Sequence, residues 1–247
     1  MQVLGFFPAL IIYTFASSNQ INPEIDLLST QLASLFAVTI SVYLARRFLD
    51  RRPFISLGLR INKLALRDVF MGVGIASMMM ALIFFYEWAV GYLSFEGFAW
   101  QTYSFSDIIL NIMQVLIIFI MVAWHEEIFS RGYQLQNLAD GLNIPWGVLL
   151  SSLVFSALHW ANPNANYASF FGLLLSGIFL AFGYLQTRQL WLPIGLHIGW
   201  NFFQGTVFGF RVSGLETFRL IQHNIQGPEW LTGGAFGPEA GIILLPS

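Results

Sequence analysis

Apolar residues fall in long, nearly uninterrupted runs along the chain, at 3–16, 27–45, 69–93, 108–125, 144–160, 168–186 and 191–210. A segment immersed in lipid must satisfy its backbone N–H and C=O groups internally, so such runs read as helices or as strands of a closed barrel. Their length favours helices. The pattern predicts an all-α fold, a polytopic transmembrane helical bundle of about seven to eight spans. The run from Val3 to Ala16 is short against the roughly 20 residues that cross a bilayer. It lacks the basic flank of a cleaved signal, so it is expected to be retained as a first span.

Composition sharpens this picture. Of the 247 residues, 56% are hydrophobic and 10% charged, well below the roughly 25% charged residues of a soluble domain. Lipid must therefore be the solvent for most of the surface, and membrane lipid is an expected partner. Net charge is −2, and no basic run is interleaved with aromatics, so nucleic acid is not an expected partner. The chain has no cysteine, which removes disulfides, thiolate nucleophiles and Cys-based zinc sites from consideration.

Charge placement sets an orientation. Arg46, Arg47, Arg51, Arg52, Arg60, Lys63 and Arg67 fall in the second connection, with Arg131 and Arg188 in the fourth and sixth. Basic residues concentrate in short cytoplasmic loops, which predicts a cytoplasmic N-terminus and an outer C-terminus. The membrane itself is not read from the charges and is taken as the plasma membrane of a prokaryote. The chain reads as a single integral membrane domain, 1–247. Spans without a motif occupy 1–107, catalytic core spans 108–205, and a loop-rich tail with Gly227-Pro228, Gly233-Gly234 and Gly237-Pro238 occupies 211–247.

Ionisable groups inside membrane segments are costly and mark functional sites. Three groups stand out: Glu126-Glu127 with Arg131, Phe155 with His159, and His197 with Asn201. Residues four apart share a helix face, so Glu127 can reach Arg131, Phe155 underlies His159, and His197 stands beside Asn201. Glu126 points about 100° away from Glu127. Glu127 is thus expected to make an orienting ion pair and Glu126 to face a cavity. If the fourth helix runs on to Ala139, Glu126 and His159 lie about 15 residues either side of the turn at 140–143, about 23 Å from it, and meet at one level. His197 falls about 10 Å shallower, unless the tip of the 132–143 hairpin projects beyond the membrane.

These are groups that amide hydrolysis needs. Glu126 can act as general base toward water, His159 can hold and polarise that water, and His197 and Asn201 can donate to an oxyanion. Each group also has a plainer reading as an ion pair or interhelical hydrogen bond, and it is their joint occurrence that favours catalysis. His125-Glu126 does not open an H-E-x-x-H zinc motif, because the fifth position is Phe129. Zinc held by His159, His197 and a carboxylate remains an alternative to metal-free hydrolysis. A non-catalytic adaptor, immunity protein or small transporter is a third reading. His125 and His223 read as structural, and Glu87 in the third run has no assigned part.

The order E-E-x-x-x-R, F-x-x-x-H, H-x-x-x-N on successive hydrophobic segments resembles the signature of the CPBP family, which includes the type II CAAX prenyl endopeptidases and bacteriocin-processing enzymes. The stretches Glu126–Tyr133 and Leu192–Phe202 carry most of it, within roughly 108–205. The resemblance implies an all-helical intramembrane endopeptidase acting on a peptide or protein substrate, lipidated or not; Asn201, better explained by an oxyanion hole than by a metal site, favours no required cofactor. Residues matching Glu126 and His159 would activate water, and those matching His197 and Asn201 would form the oxyanion hole. Ser130 departs from the pattern, in which an aromatic residue commonly precedes the arginine.

Overall fold

The structure, a computed structural model, describes residues 23–244, with side chains from residue 27. The expected span at 3–16 lies outside the described residues. The long helices are α1 (Pro23–Leu44), α2 (Lys63–Ala89), α3 (Phe105–Glu127), α5 (Ile144–Leu158) and α6 (Tyr167–Thr187). Shorter ones are α4 (Leu135–Gly141), α7 (Trp191–Asn201) and α8 (Glu229–Thr232). Among the described residues five helical stretches are long and apolar enough to cross a membrane. Helix α7 with its π-helical extension Phe202–Val207 falls short of them, at about 25 Å for 1.5 Å per residue.

Helix starts follow local chemistry. Asn62, Ser104, Asn143 and Asn166 each accept a backbone N–H of the first turn, at Ala65, Asp107, Trp146 and Ser169, satisfying donors that have no helical partner. The Asn62 cap starts α2 six residues before the apolar run that marks it in the sequence. Helix α3 runs through a π-helical turn, Ile128–Gln134, directly into α4, giving the long helix expected before the 140–143 turn.

The connections separate into two ends. At one, Arg52 pairs with Asp140 at 2.7 Å, Leu190 N donates to Gly58 O, and buried Arg46 reaches Ser56, Asp50 and Gln136. At the other, β1 (Leu93–Phe98) and β2 (Ile221–Ile225) form an antiparallel pair with Leu93 opposite Ile225 and an irregularity between Phe95 and Gly97. Strand β2 lies in the stretch 211–247 expected to be loop-rich, and β1 begins on Leu93, the last residue of the apolar run 69–93. These strands are short and lie about 130 residues apart, so neither leaves a periodic signal of its own.

Helix α7 is the hub. Its glycines meet α2 backbone to backbone: a Cβ on Gly195 would run into Val69, one on Gly199 into Val73, and one on Gly72 into the backbone of Leu192 and Leu196. Such small-residue contacts let helices approach closely where lipid supplies no hydrophobic drive for association. Pressed between α2, α3 and α6, α7 is buried along most of its length.

Candidate active site

Glu126 and Glu127 occupy the last turn of α3, just before the π-helical turn. A π-helical turn is a rare insertion that is frequent at functional sites. The two carboxylates diverge as one helical step requires. Glu127 is fully buried, and its Oε1 accepts from Arg131 Nη1 at 2.9 Å and from His197 Nδ1 at 2.8 Å. Arg131, placed by the sequence reading in a connection, is likewise buried. Its Nη2 donates to Gly177 O of α6 at 3.0 Å, and its guanidinium stacks 4.4 Å from the Phe155 ring centre. Such a stacked, paired arginine is far less costly in an apolar interior than a lone charge.

Glu126 faces a cavity of about 980 Å³ lined by α1, α3, α5, α6 and α7. Its Oε2 lies 3.8 Å from His159 Nε2 and 3.8 Å from His197 Nε2, and this buried oxygen has no protein hydrogen-bond partner. His159 opens a 3-10 turn after α5, and its Nδ1 lies 2.8 Å from Phe155 O, with the Phe155 and His159 rings 4.8 Å apart. A carbonyl oxygen only accepts, so His159 carries a proton on Nδ1 and turns Nε2 toward Glu126. His197 and Asn201 sit one turn apart on α7, both buried and both on the cavity wall.

The structure therefore brings Glu126 to both His159 and His197, Glu127 to His197, and Asn201 to the same cavity wall one turn further along α7. His197 is not displaced along the axis. The turn before α7 packs at Gly132, where a Cβ would meet Leu190, so α4 and the 140–143 tip extend beyond that turn. Ser130 is buried on the cavity wall. His125 Nδ1 bonds Met121 O at 2.7 Å on the same wall, and among the described residues no group of three or more His, Asp or Glu has metal-holding geometry.

Two features escaped the sequence reading. One is the Glu127–His197 bond, which depends on how α7 is rotated against α3. The other is a polar cluster where the tail meets the cavity: Gln204 Nε2 donates to Glu239 Oε2 at 2.6 Å and to Arg211 O at 2.6 Å. His197, Asn201 and Gln204 recur at helical spacing within an apolar run, and that pattern was available in the sequence.

A multi-pass helical membrane protein with a carboxylate, two imidazoles and an amide on the wall of one cavity, and a second carboxylate buried behind them, is the class that this fold and site define. Residues 108–203 match the family model described as Rce1-like, type II CAAX prenyl endopeptidase, so the resemblance drawn from the three motifs is shown over that stretch. The chain is also 26% identical, over 190 residues, to the uncharacterized protein YyaK of Bacillus subtilis (strain 168). That alignment covers 74% of this chain and 61% of YyaK, so the chain spans about three-fifths of its relative's length. No solved structure matches the chain.

Proposed function

We propose that the protein is an intramembrane endopeptidase that hydrolyses a peptide bond with water activated by Glu126 and His159. The observation that carries this reading is Glu126 Oε2 facing two imidazole Nε2 atoms at 3.8 Å each, inside the cavity. Those separations are too long for direct hydrogen bonds and suit a bridging water. In this reaction Glu126 takes a proton from water as its oxygen adds to the substrate carbonyl carbon. His197 Nε2–H and the Asn201 amide donate to the oxyanion, and Glu126 then returns the proton to the leaving amine as the C–N bond breaks. Donation from His197 Nε2 requires the doubly protonated ring, whose Nδ1–H is met by the Glu127 carboxylate. The family match to 108–203 supports an endopeptidase of this general kind. The end bearing Arg46 to Arg67 is taken as cytoplasmic, because basic residues favour that side.

A second reading rests on one detail, against the finding that the described residues hold no group of three with metal-holding geometry. With Nδ1 of each ring beside an acceptor oxygen, the Nδ1–H tautomers of His159 and His197 would both turn a lone pair toward Glu126, as ligating imidazoles with oriented second nitrogens do. Zinc held there would polarise the carbonyl and the attacking water. Stoichiometric zinc in active protein, with activity lost to chelators and restored by metal, would select it.

The primary test compares protein termini in membranes of source cells carrying wild type or Glu126→Gln at matched expression. New termini found only with wild type are the expected result. Identical termini, under conditions that need the protein, would overturn the peptidase reading in favour of an adaptor.

A further inference from the structure

We propose that Glu239 is a positioning residue, tying the helix that carries His197 and Asn201 to the turn that carries His159. The inference rests on the endopeptidase reading and adds to it a residue from the tail, outside the stretch that matches the family.

Glu239 is 2% exposed and lies on the wall of the cavity that holds Glu126. Its Oε2 accepts from Gln204 Nε2 at 2.6 Å, and Gln204, itself fully buried, stands one turn beyond Asn201. Its Oε1 accepts from Ser213 N at 3.2 Å and from Ser213 Oγ at 3.4 Å. Ser213 O accepts from Asn162 Nδ2 at 3.0 Å, and Asn162 N closes the turn onto His159 O at 3.0 Å. A continuous hydrogen-bonded path thus joins α7 to the His159 turn through one carboxylate. Helices α5 and α7 meet directly at the Phe155 and His197 rings, 6.2 Å apart, and the path adds a hydrogen-bonded connection to that contact.

The arrangement is costly in ways that packing alone would not require. Burial pushes the Glu239 carboxyl up to about 7 even though these hydrogen bonds favour its charged form. The nearby Arg211 guanidinium turns instead to Glu216 and Ala235 O. The backbone is shaped to admit the group: Gly237 has φ 113°, where a side chain would strain, and a Cβ on Gly172 would run into the Glu239 carbonyl. A neutral or apolar residue would fill the space without the desolvation penalty of a carboxylate. What a carboxylate adds is two acceptor oxygens that hold donors from two elements at fixed separation.

Alignment of an oxyanion hole with the attacking water matters in the transition state, and displacements of about 1 Å cost on the order of 100-fold in rate. The test uses the full chain in lipid nanodiscs, with cleavage kinetics and hydrogen–deuterium exchange measured on wild type, Glu239→Ala and Glu239→Gln. The expected result for Glu239→Ala is kcat lower by about 10- to 100-fold, unchanged KM, and faster exchange at both 159–166 and 201–207. Glu239→Gln, which keeps an acceptor for Ser213 N, is expected to recover part of both effects. Should Glu239→Ala fail to fold, Gln204→Leu attacks the same tie from the other side and is expected to reproduce the loss of kcat. An unchanged kcat, or faster exchange confined to 229–244, would overturn the proposal. Exchange reads the tie even without cleavage, so a failed peptidase reading, shown by Glu126→Gln cleaving like wild type, is distinguishable from a failed positioning role.

Discussion

A single oxygen, Oε1 of Glu127, accepts hydrogen bonds from Arg131 at 2.9 Å and from His197 at 2.8 Å. Arg131 fastens α3 to α6 through Gly177 O, and His197 fastens it to α7, so one carboxylate organises three helices around Glu126. Removing one member of a buried pair leaves an uncompensated charge and costs about 3–5 kcal/mol. Glu127→Leu and Arg131→Met should each lower thermal stability sharply in lipid or detergent, and the double variant should be more stable than either. Additive losses would show that the pair is not the dominant coupling.

Asn201 has a different signature. It stands beside His197 on the cavity wall, and in the proposed reaction it meets the substrate oxygen only as charge develops there. Asn201→Ala should lower kcat by about 100- to 1,000-fold while KM and the melting temperature stay near wild type. An equal rise in KM would instead assign Asn201 to ground-state binding.

Close approach of α2 and α7 sets where His197 points. With Gly195 against Val69 and Gly199 against Val73, Gly195→Leu must push the helices apart. The expected cost is about 1–3 kcal/mol from overpacking, and most of the cleavage activity should go with it, since His197 rides on the displaced helix. Gly74, where an added Cβ meets nothing, provides the control: Gly74→Ala should leave activity intact.

Two titrating groups in the C-terminal tail have opposite effects on stability. Burial pushes His223, whose Nε2 faces Phe208 O, down to about 4. Its unfolded form takes up a proton below about 6.5, so stability is lost as pH falls from 6.5 toward 4. Glu239 is pushed up to about 7. Its unfolded form ionises first, so stability is lost as pH rises from about 4.5 to 7. Each effect amounts to about 3 kcal/mol at most, at 1.36 kcal/mol per pKa unit, and over the shared window they offset. Melting temperature should therefore be nearly flat in wild type between pH 4.5 and 6.5, fall with rising pH in His223→Gln, and rise with pH in Glu239→Gln. Parallel curves for the three proteins would contradict this.

Much of the bundle is legible in the sequence because lipid leaves the backbone few options. Runs such as 108–125 and 168–186 must be helical, and the Asn and Ser caps that start them are local. The divergence of Glu126 from Glu127 follows from one helical step. The pairing of β1 with β2 and the reach of Glu239 to Gln204 do not follow in this way. Both join segments with no periodicity of their own across long separations, and both depend on where α7 ends after its π-helical extension. The Glu127–His197 bond is intermediate: the partners stand out as intramembrane polar groups, but only the mutual rotation of two helices says which carboxylate meets which ring.

The pairing of Glu127 with Arg131 inside one helix also bears on how the protein enters the bilayer. The segment from Phe105 to Gly141 carries Glu126, Glu127 and Arg131 through its middle, where isolated charges are strongly disfavoured. Because Glu127 and Arg131 stand four residues apart, they can neutralise one another as soon as that turn of helix forms, before α6 or α7 has been synthesised. The segment then partitions with one uncompensated carboxylate, Glu126, instead of three exposed charges. Biogenesis can thus proceed in the order of the chain, with Gly177 and His197 arriving later to contacts that are already arranged.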